Sequence, residues 1–256
     1  TTRTAVRITY FNPRLREGGD RIDFDYFQNV SKDVLMNCYP AGLDLSTELS
    51  IFTWSGYYNN PKSAKELQKV EILEDELNHL KKLLLSDRIS DDADVMITNS
   101  HVFIYELIHN CMERNDHYKD IRCINIDLHH DFVNGSEDVD CGNWISHLYK
   151  DYGDHFKFDW VVNPISREMF GLKEEIFDKT LLKSLADIKI KDFDVVFLCR
   201  SDNFFAPHLD PYFDEIVRLI ESRFHDIRIE KSVNEVRDYR KYDSMYEKLH
   251  RSLKNS

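Results

Sequence analysis

Glycine and proline are scarce, with 8 and 6 in a chain of 256 residues, too few for a collagen-like or low-complexity disordered protein. No stretch approaches the ~18 consecutive apolar residues that a membrane-crossing helix needs. No signal-peptide pattern is visible, and because the chain opens on Thr1 rather than Met, a short preceding piece is expected. Cysteine is limited to Cys38, Cys111, Cys123, Cys141 and Cys199, with no CxxC pair. An odd number of thiols, two of them in strand-like runs, predicts a reduced, cytoplasmic protein rather than a disulfide framework. Positive charge is also short, 34 Lys and Arg against 46 Asp and Glu, for a net charge of -12. That argues against general nucleic-acid binding, which needs a basic face, and is compatible with a cationic substrate.

The composition is 42% hydrophobic, enough to bury a sizeable core in one large α/β domain or two small ones. Val6 to Phe11 reads as a first strand, and residues 12 to 66 read as irregular, with an Asn-Asn-Pro turn signal at 59 to 61. Val70 to Leu85 has leucines at helical spacing. From there strands and helices alternate: Val95 to Ile97, His101 to Met112 (helix), Ile121 to Ile126, Trp144 onward (helix), Phe158 to Val162, Ile176 to Leu185 (helix), Phe193 to Cys199, Pro211 to Phe224 (helix) and Ile227 to Ile229. Continuous apolar strands between amphipathic helices predict a three-layer α/β/α fold with a mostly parallel sheet. The expected organisation is one domain over 1–230, with a polar tail or docking helix over 231–256.

One segment carries most of the chemistry. Asp127, His129 and Asp131 recur every second residue at the end of the Ile121 to Ile126 strand. Alternate side chains of an extended strand leave it in the same direction, so three metal-ligand types share one side. Ligands in such sheets bind beyond the carboxyl ends of the strands. His101 follows the preceding strand and Asp202 follows a later one, so both are placed on that rim. A metal site of His101, Asp127, His129, Asp131 and Asp202, rich in carboxylate and free of thiolate, suits Mn²⁺ better than structural Zn²⁺. The bland alternative is a solvated loop with a chance pattern. His130, between ligands, should face the other side of the strand, in a catalytic or a packing role. Trp54, Tyr57 and Tyr58 are core by default, or else they line a peptide groove.

These residues resemble the arginase and deacetylase superfamily. Asp127-Leu128-His129-His130-Asp131 is similar to the Asp-x-His-x-Asp motif of ureohydrolases, and Thr98-Asn99-Ser100-His101 to their helix-start His. Cys141-Gly142-Asn143-Trp144 and the run Ser201 to His208 resemble a divergent branch that includes peptide arginases. The resemblance implies an arginase-like fold and a hydrolase that converts arginine within a peptide to ornithine and urea during peptide maturation. It implies one or two Mn²⁺ ions, with Zn²⁺ less expected, and Asp131 and His130 in catalytic roles. Asn134, Cys141 and Asn143 would hold the substrate main chain, and Glu230 is a candidate for the guanidinium. Asn143 reads equally well as a helix cap, and Glu230 as an ordinary surface residue. The implied partner is an arginine-containing peptide, with no nucleic acid or membrane, and with room for a homo-oligomer.

Two departures stand out. Arg200 occupies the first position of the family's late Asp-x-Asp pair, and Ile145 that of its proton-shuttling His, leaving His130, His147 or His208 to substitute. One alternative is a single-Zn²⁺ amide hydrolase using Asp127, His129 and Asp202. Another is a non-catalytic module that binds a peptide or protein partner.

Overall fold

The computed structural model describes residues 19–40, 45–114, 121–133, 137–170, 181–189 and 193–254. The strands are β1 (Gly19–Asp23), β2 (Gln28–Asn29), β3 (Glu71–Ile72), β4 (Ile89–Thr98), β5 (Ile121–Asp127), β6 (Phe156–Val162), β7 (Leu181–Leu182), β8 (Phe193–Cys199) and β9 (Ile227–Ile229). Seven form one sheet in the order β7-β6-β5-β1-β8-β4-β9, and every pairing in it is parallel. β2 and β3 make a separate antiparallel pair.

Strand alternation divides the core in two. Ile22, Ile97, Ile126 and Leu198 face one side, where Leu77, Leu80 and Leu84 of α4 (Glu74–Leu84) and Phe213, Ile216 and Ile220 of α8 (Asp210–Arg223) cover them. Met96, Cys123, Trp160 and Phe197 face the other, under Ile104 and Leu107 of α5 (Val102–Arg114) and Trp144, Ile145 and Leu148 of α6 (Trp144–Tyr152). The fold is therefore the expected three-layer α/β/α arrangement, with all strand carboxyl ends on one rim. No described helix is long and apolar enough to cross a membrane.

Three expectations need revision. The stretch read as irregular before residue 66 contains the central strand β1 and the helices α1 (Lys32–Cys38), α2 (Thr47–Asn59) and α3 (Pro61–Leu67). Only the Asn-Asn-Pro signal was legible there: Asn60 caps α3 through its side chain, with Pro61 in the first turn. β1 sits between β5 and β8, so neighbouring strands supply burial that its own Gly-Asp-Arg-Ile-Asp sequence does not announce. The helix read over Val70 to Leu85 starts at Glu74, because Ile72 is held in the β2–β3 pair and the Leu73 amide bonds to the Phe27 carbonyl. The described end of the helix read over Ile176 to Leu185 is instead the edge strand β7, paired with β6. The strand read over Val6 to Phe11 lies outside the described residues.

In the C-terminal stretch, Arg237 is 3% exposed and Tyr239 stacks on Tyr58 with 4.1 Å between ring centroids. Beyond them α9 (Asp243–Lys254) lies against α2. Gly56 permits the close approach, since a Cβ there would come within 2.9 Å of the Tyr246 hydroxyl.

Candidate metal centre

The rim above β1, β5, β8 and β4 gathers six buried or half-buried ligand-type side chains. Asp127 ends β5, and its Oδ1 accepts the His129 amide at 2.7 Å. That bond folds the chain sharply after the strand, so His129 and Asp131 stay over the sheet. Asp131 holds a left-handed conformation, φ 49°, costing about 1–3 kcal/mol for a non-glycine residue. The Trp144 indole N–H donates to Asp131 Oδ2 at 2.7 Å and fixes that carboxylate. His101, at the start of α5, places Nδ1 3.4 Å from Asp131 Oδ2 and Nε2 3.0 Å from Ser201 Oγ. Ser201 is also left-handed, φ 58°.

Two further carboxylates, missed in the sequence, complete the set. Asp23 ends β1 and pairs with His101 Nε2. Asp25 follows in a 3-10 turn (Phe24–Phe27) and contacts His129 Nδ1 at 2.9 Å, while its other oxygen accepts the Leu128 amide at 3.1 Å. Donor atoms of Asp25, Asp127 and His129 lie within 4.8 Å of one another, as do those of His101, Asp127 and Asp131, and those of Asp23, His101 and Cys199. Asp23-Phe24-Asp25 is an Asp-x-Asp pair, the pattern sought around residue 200. It went unseen because no apolar run precedes it.

The structure does not bring Asp202 into these groups. Its carboxylate is held by Arg200 Nε at 2.6 Å, Thr47 Oγ1 at 3.2 Å and Asn99 Nδ2 at 3.3 Å, with Arg237 Nε 3.7 Å away. Burial raises its pKa, but Arg237 and Arg200 outweigh burial and hold it below the usual aspartate range. The physical reason is Arg200 itself: a guanidinium two residues away captures the carboxylate.

Around the rim opens a cavity of about 260 Å³, lined by His101, His129, His130, Asp131, Cys141 and Phe204 among others. His130 therefore lines the same cavity as His129, since the chain has left the strand. Its ring packs on Phe170 at 4.9 Å, its Nδ1 accepts the Phe132 amide at 2.9 Å, and burial lowers its pKa. Burial also works against the His129 imidazolium, but Asp25 and Asp127 overcome it and push that pKa well above the ordinary value.

Of the other residues singled out in the sequence, Cys141 lines the cavity. Asn143 stands at the N-cap position of α6 but makes no side-chain cap bond; its side chain takes the Asp140 amide and donates to the Asp138 carbonyl, pinning the loop. Asn134 lies outside the described residues. Glu230 ends β9 at the sheet edge, with β4 and β8 between it and β1, and is not among the described cavity residues. His208 sits elsewhere, between the Tyr58 hydroxyl and the Val70 carbonyl, and His147 packs edge-on to Tyr105. Trp54 is fully buried, and Tyr57 and Tyr58 pack against the core rather than forming a groove at this rim.

Four carboxylates and two imidazoles, all but His129 at most 3% exposed, make a set that a cation can satisfy. Even two imidazolium groups would leave net negative charge in a low-dielectric site, which is costly without a counter-charge. The buried Asp and His groups can therefore hold a metal ion. Searches of known protein families, curated proteins and solved structures found no match to this chain.

Proposed function

We propose that this chain is a metal-dependent hydrolase of a guanidinium C–N bond, a peptide arginase that converts peptidyl arginine to ornithine and urea. The observation that carries the reading is the six-residue cluster at the base of a cavity: Asp23 at the end of β1 and Asp25 in the turn after it, His101 after β4, and Asp127 at the end of β5 with His129 and Asp131 just beyond it. It restores the Asp-x-Asp pair that Arg200 had put in doubt, now supplied by the strand beside β5 rather than by β8. Hard carboxylate donors with two imidazoles favour Mn²⁺. When bound, such an ion lowers the pKa of water and supplies hydroxide near neutral pH.

The rest of the site fits a cationic side chain on a neutral main chain. The described cavity residues include Asp131 and Asp140 but no Lys or Arg that would grip a free α-carboxylate. Phe170, Phe204 and Val133 give the cavity apolar walls suited to the methylenes of an arginine. Asp131, held by Trp144, orients the attacking water, and neutral His130 in the same cavity takes a proton from that water and passes it to the leaving amine. Exposed and separated strand-end ligands would have favoured the non-catalytic reading, whereas these are buried and adjacent.

A single-zinc amide hydrolase is the second reading, favoured by the two-carboxylate, one-imidazole set of Asp25, Asp127 and His129. Mass spectrometry of arginine peptides incubated with the protein and Mn²⁺ distinguishes them. A loss of about 42 Da per arginine is expected for water-driven release of urea. Unchanged arginine, with deacylation of an acyl-lysine peptide in the presence of one zinc per chain, would replace the first reading with the second.

A further inference from the structure

We propose that Cys199 is a metal ligand, joining Asp23 and His101 to form a thiolate-containing position beside the Asp25, Asp127 and His129 triad. The inference rests on the metal-binding reading of the cluster. It adds a donor that neither the motif nor the family resemblance supplies, and it changes which ion that position selects.

Strand register places the thiol. Cys199 ends β8 and pairs with Asp23 on one side and Thr98 on the other. Asp127 falls in the same row, one residue beyond the Ile22–Ile126 pair. Neighbours in register across a parallel sheet point to the same face, so the carboxylates of Asp23 and Asp127 and the thiol share one side. That side is also where α5 begins with His101. The donor atoms of Asp23, His101 and Cys199 lie within 4.8 Å of one another, and Cys199 is fully buried and not disulfide-bonded.

The two faces of the His101 ring give the donor assignment. Nε2 faces Asp23 and Ser201, whereas Nδ1 faces Asp131. An imidazole that binds a metal through one nitrogen commonly gives the other N–H to a carboxylate, which fixes its orientation. Nε2 is then the ligating atom, with Asp131 as the carboxylate behind it. Charge divides between the two triads as well, with Asp131 outside both and facing His101 Nδ1. Asp25, Asp127 and His129 offer two negative charges and one imidazole, and so do Asp23, thiolate Cys199 and His101. Each triad neutralises one divalent ion. Ligation releases the thiol proton to solvent. A thiolate shifts preference toward Zn²⁺ and away from Mn²⁺, because soft donors select softer ions.

X-ray absorption on the full-length protein loaded with zinc tests this directly. We expect a sulfur scatterer at about 2.3 Å in addition to nitrogen and oxygen near 2.0–2.1 Å. It should vanish in Cys199→Ser and persist in Cys141→Ser, the thiol that lines the cavity. The wild-type spectrum alone identifies sulfur ligation, so the inference stays testable should Cys199→Ser fold poorly. Bound zinc with only nitrogen and oxygen neighbours overturns the thiolate ligand and leaves the metal centre standing. Sulfur that survives Cys199→Ser but is lost in Cys141→Ser overturns the assignment. A wild-type protein that retains no metal overturns both this inference and the function proposed above.

Discussion

Replacing Asp127 with asparagine should stabilise the metal-free protein while removing its response to metal. Asp127 stands between Asp25 and Asp131, with oxygens of each no farther than 4.8 Å away. At an effective dielectric constant of about 20, each such pair of like charges repels by about 3.5 kcal/mol. The opposing loss is the attraction to protonated His129, whose Nδ1 is 3.7 Å from Asp127 Oδ1, about 4.5 kcal/mol on the same scale. Asparagine keeps an oxygen to accept the His129 amide, so that hydrogen bond survives. With His101 uncharged, the balance favours neutralisation by about 2–3 kcal/mol, which for a chain of this size raises Tm by roughly 4–12 °C. Metal reverses the order. Mn²⁺ at a thousand times its Kd stabilises the wild type by about 4.1 kcal/mol, and the variant should gain little. Thermal unfolding of both proteins, with chelator and with Mn²⁺, reads out the crossing. A variant that melts lower than wild type in chelator and responds equally to Mn²⁺ would refute the electrostatic reasoning.

Three other outcomes are expected. Arg237→Ala leaves Asp210 without its buried guanidinium partner and Asp202 with Arg200 alone, and should cost about 3–5 kcal/mol in chemical denaturation. Ending the chain before α9 should cost far less, since most of its side chains, the Arg251–Glu247 pair among them, are exposed. Because Asp202 is held below its unfolded pKa, its contribution to stability is full above the ordinary aspartate range and is lost as pH falls through its folded value. Asp202→Asn should therefore flatten the acid limb of the stability curve, and an unchanged limb would contradict the ion-pair assignment. Trp144→Phe removes the N–H that fixes Asp131 together with part of a fully buried ring, so metal affinity or turnover should drop about 10- to 100-fold and stability should fall, while the helix content seen by circular dichroism stays.

Local pattern determined a large part of this protein from sequence alone. Phe193–Cys199 and Ile227–Ile229 announce themselves as strands through short apolar runs. Asp127, His129 and Asp131 mark the segment through their two-residue repeat, although the strand ends at Asp127 and a turn, not strand alternation, keeps the other two over the sheet. His101 could be placed because it closes a strand and opens a helix. Each of these signals depends only on residues near one another in the chain.

What tertiary structure decided was which strands lie side by side. β1 has no apolar pattern of its own and becomes central only because β5 and β8 bury it, so Asp23 and Asp25 were invisible as ligands. Asp202 looked like a ligand by its position after β8, yet Arg200 and a residue from the C-terminal stretch, Arg237, engage its carboxylate. Cys199 read as an ordinary strand thiol until register set it beside Asp23. Side-chain periodicity follows from the geometry of a single strand, whereas strand order follows from burying many distant segments together. The sequence therefore determined one strand's worth of the site, and the fold supplied its other half from the opposite end of the chain.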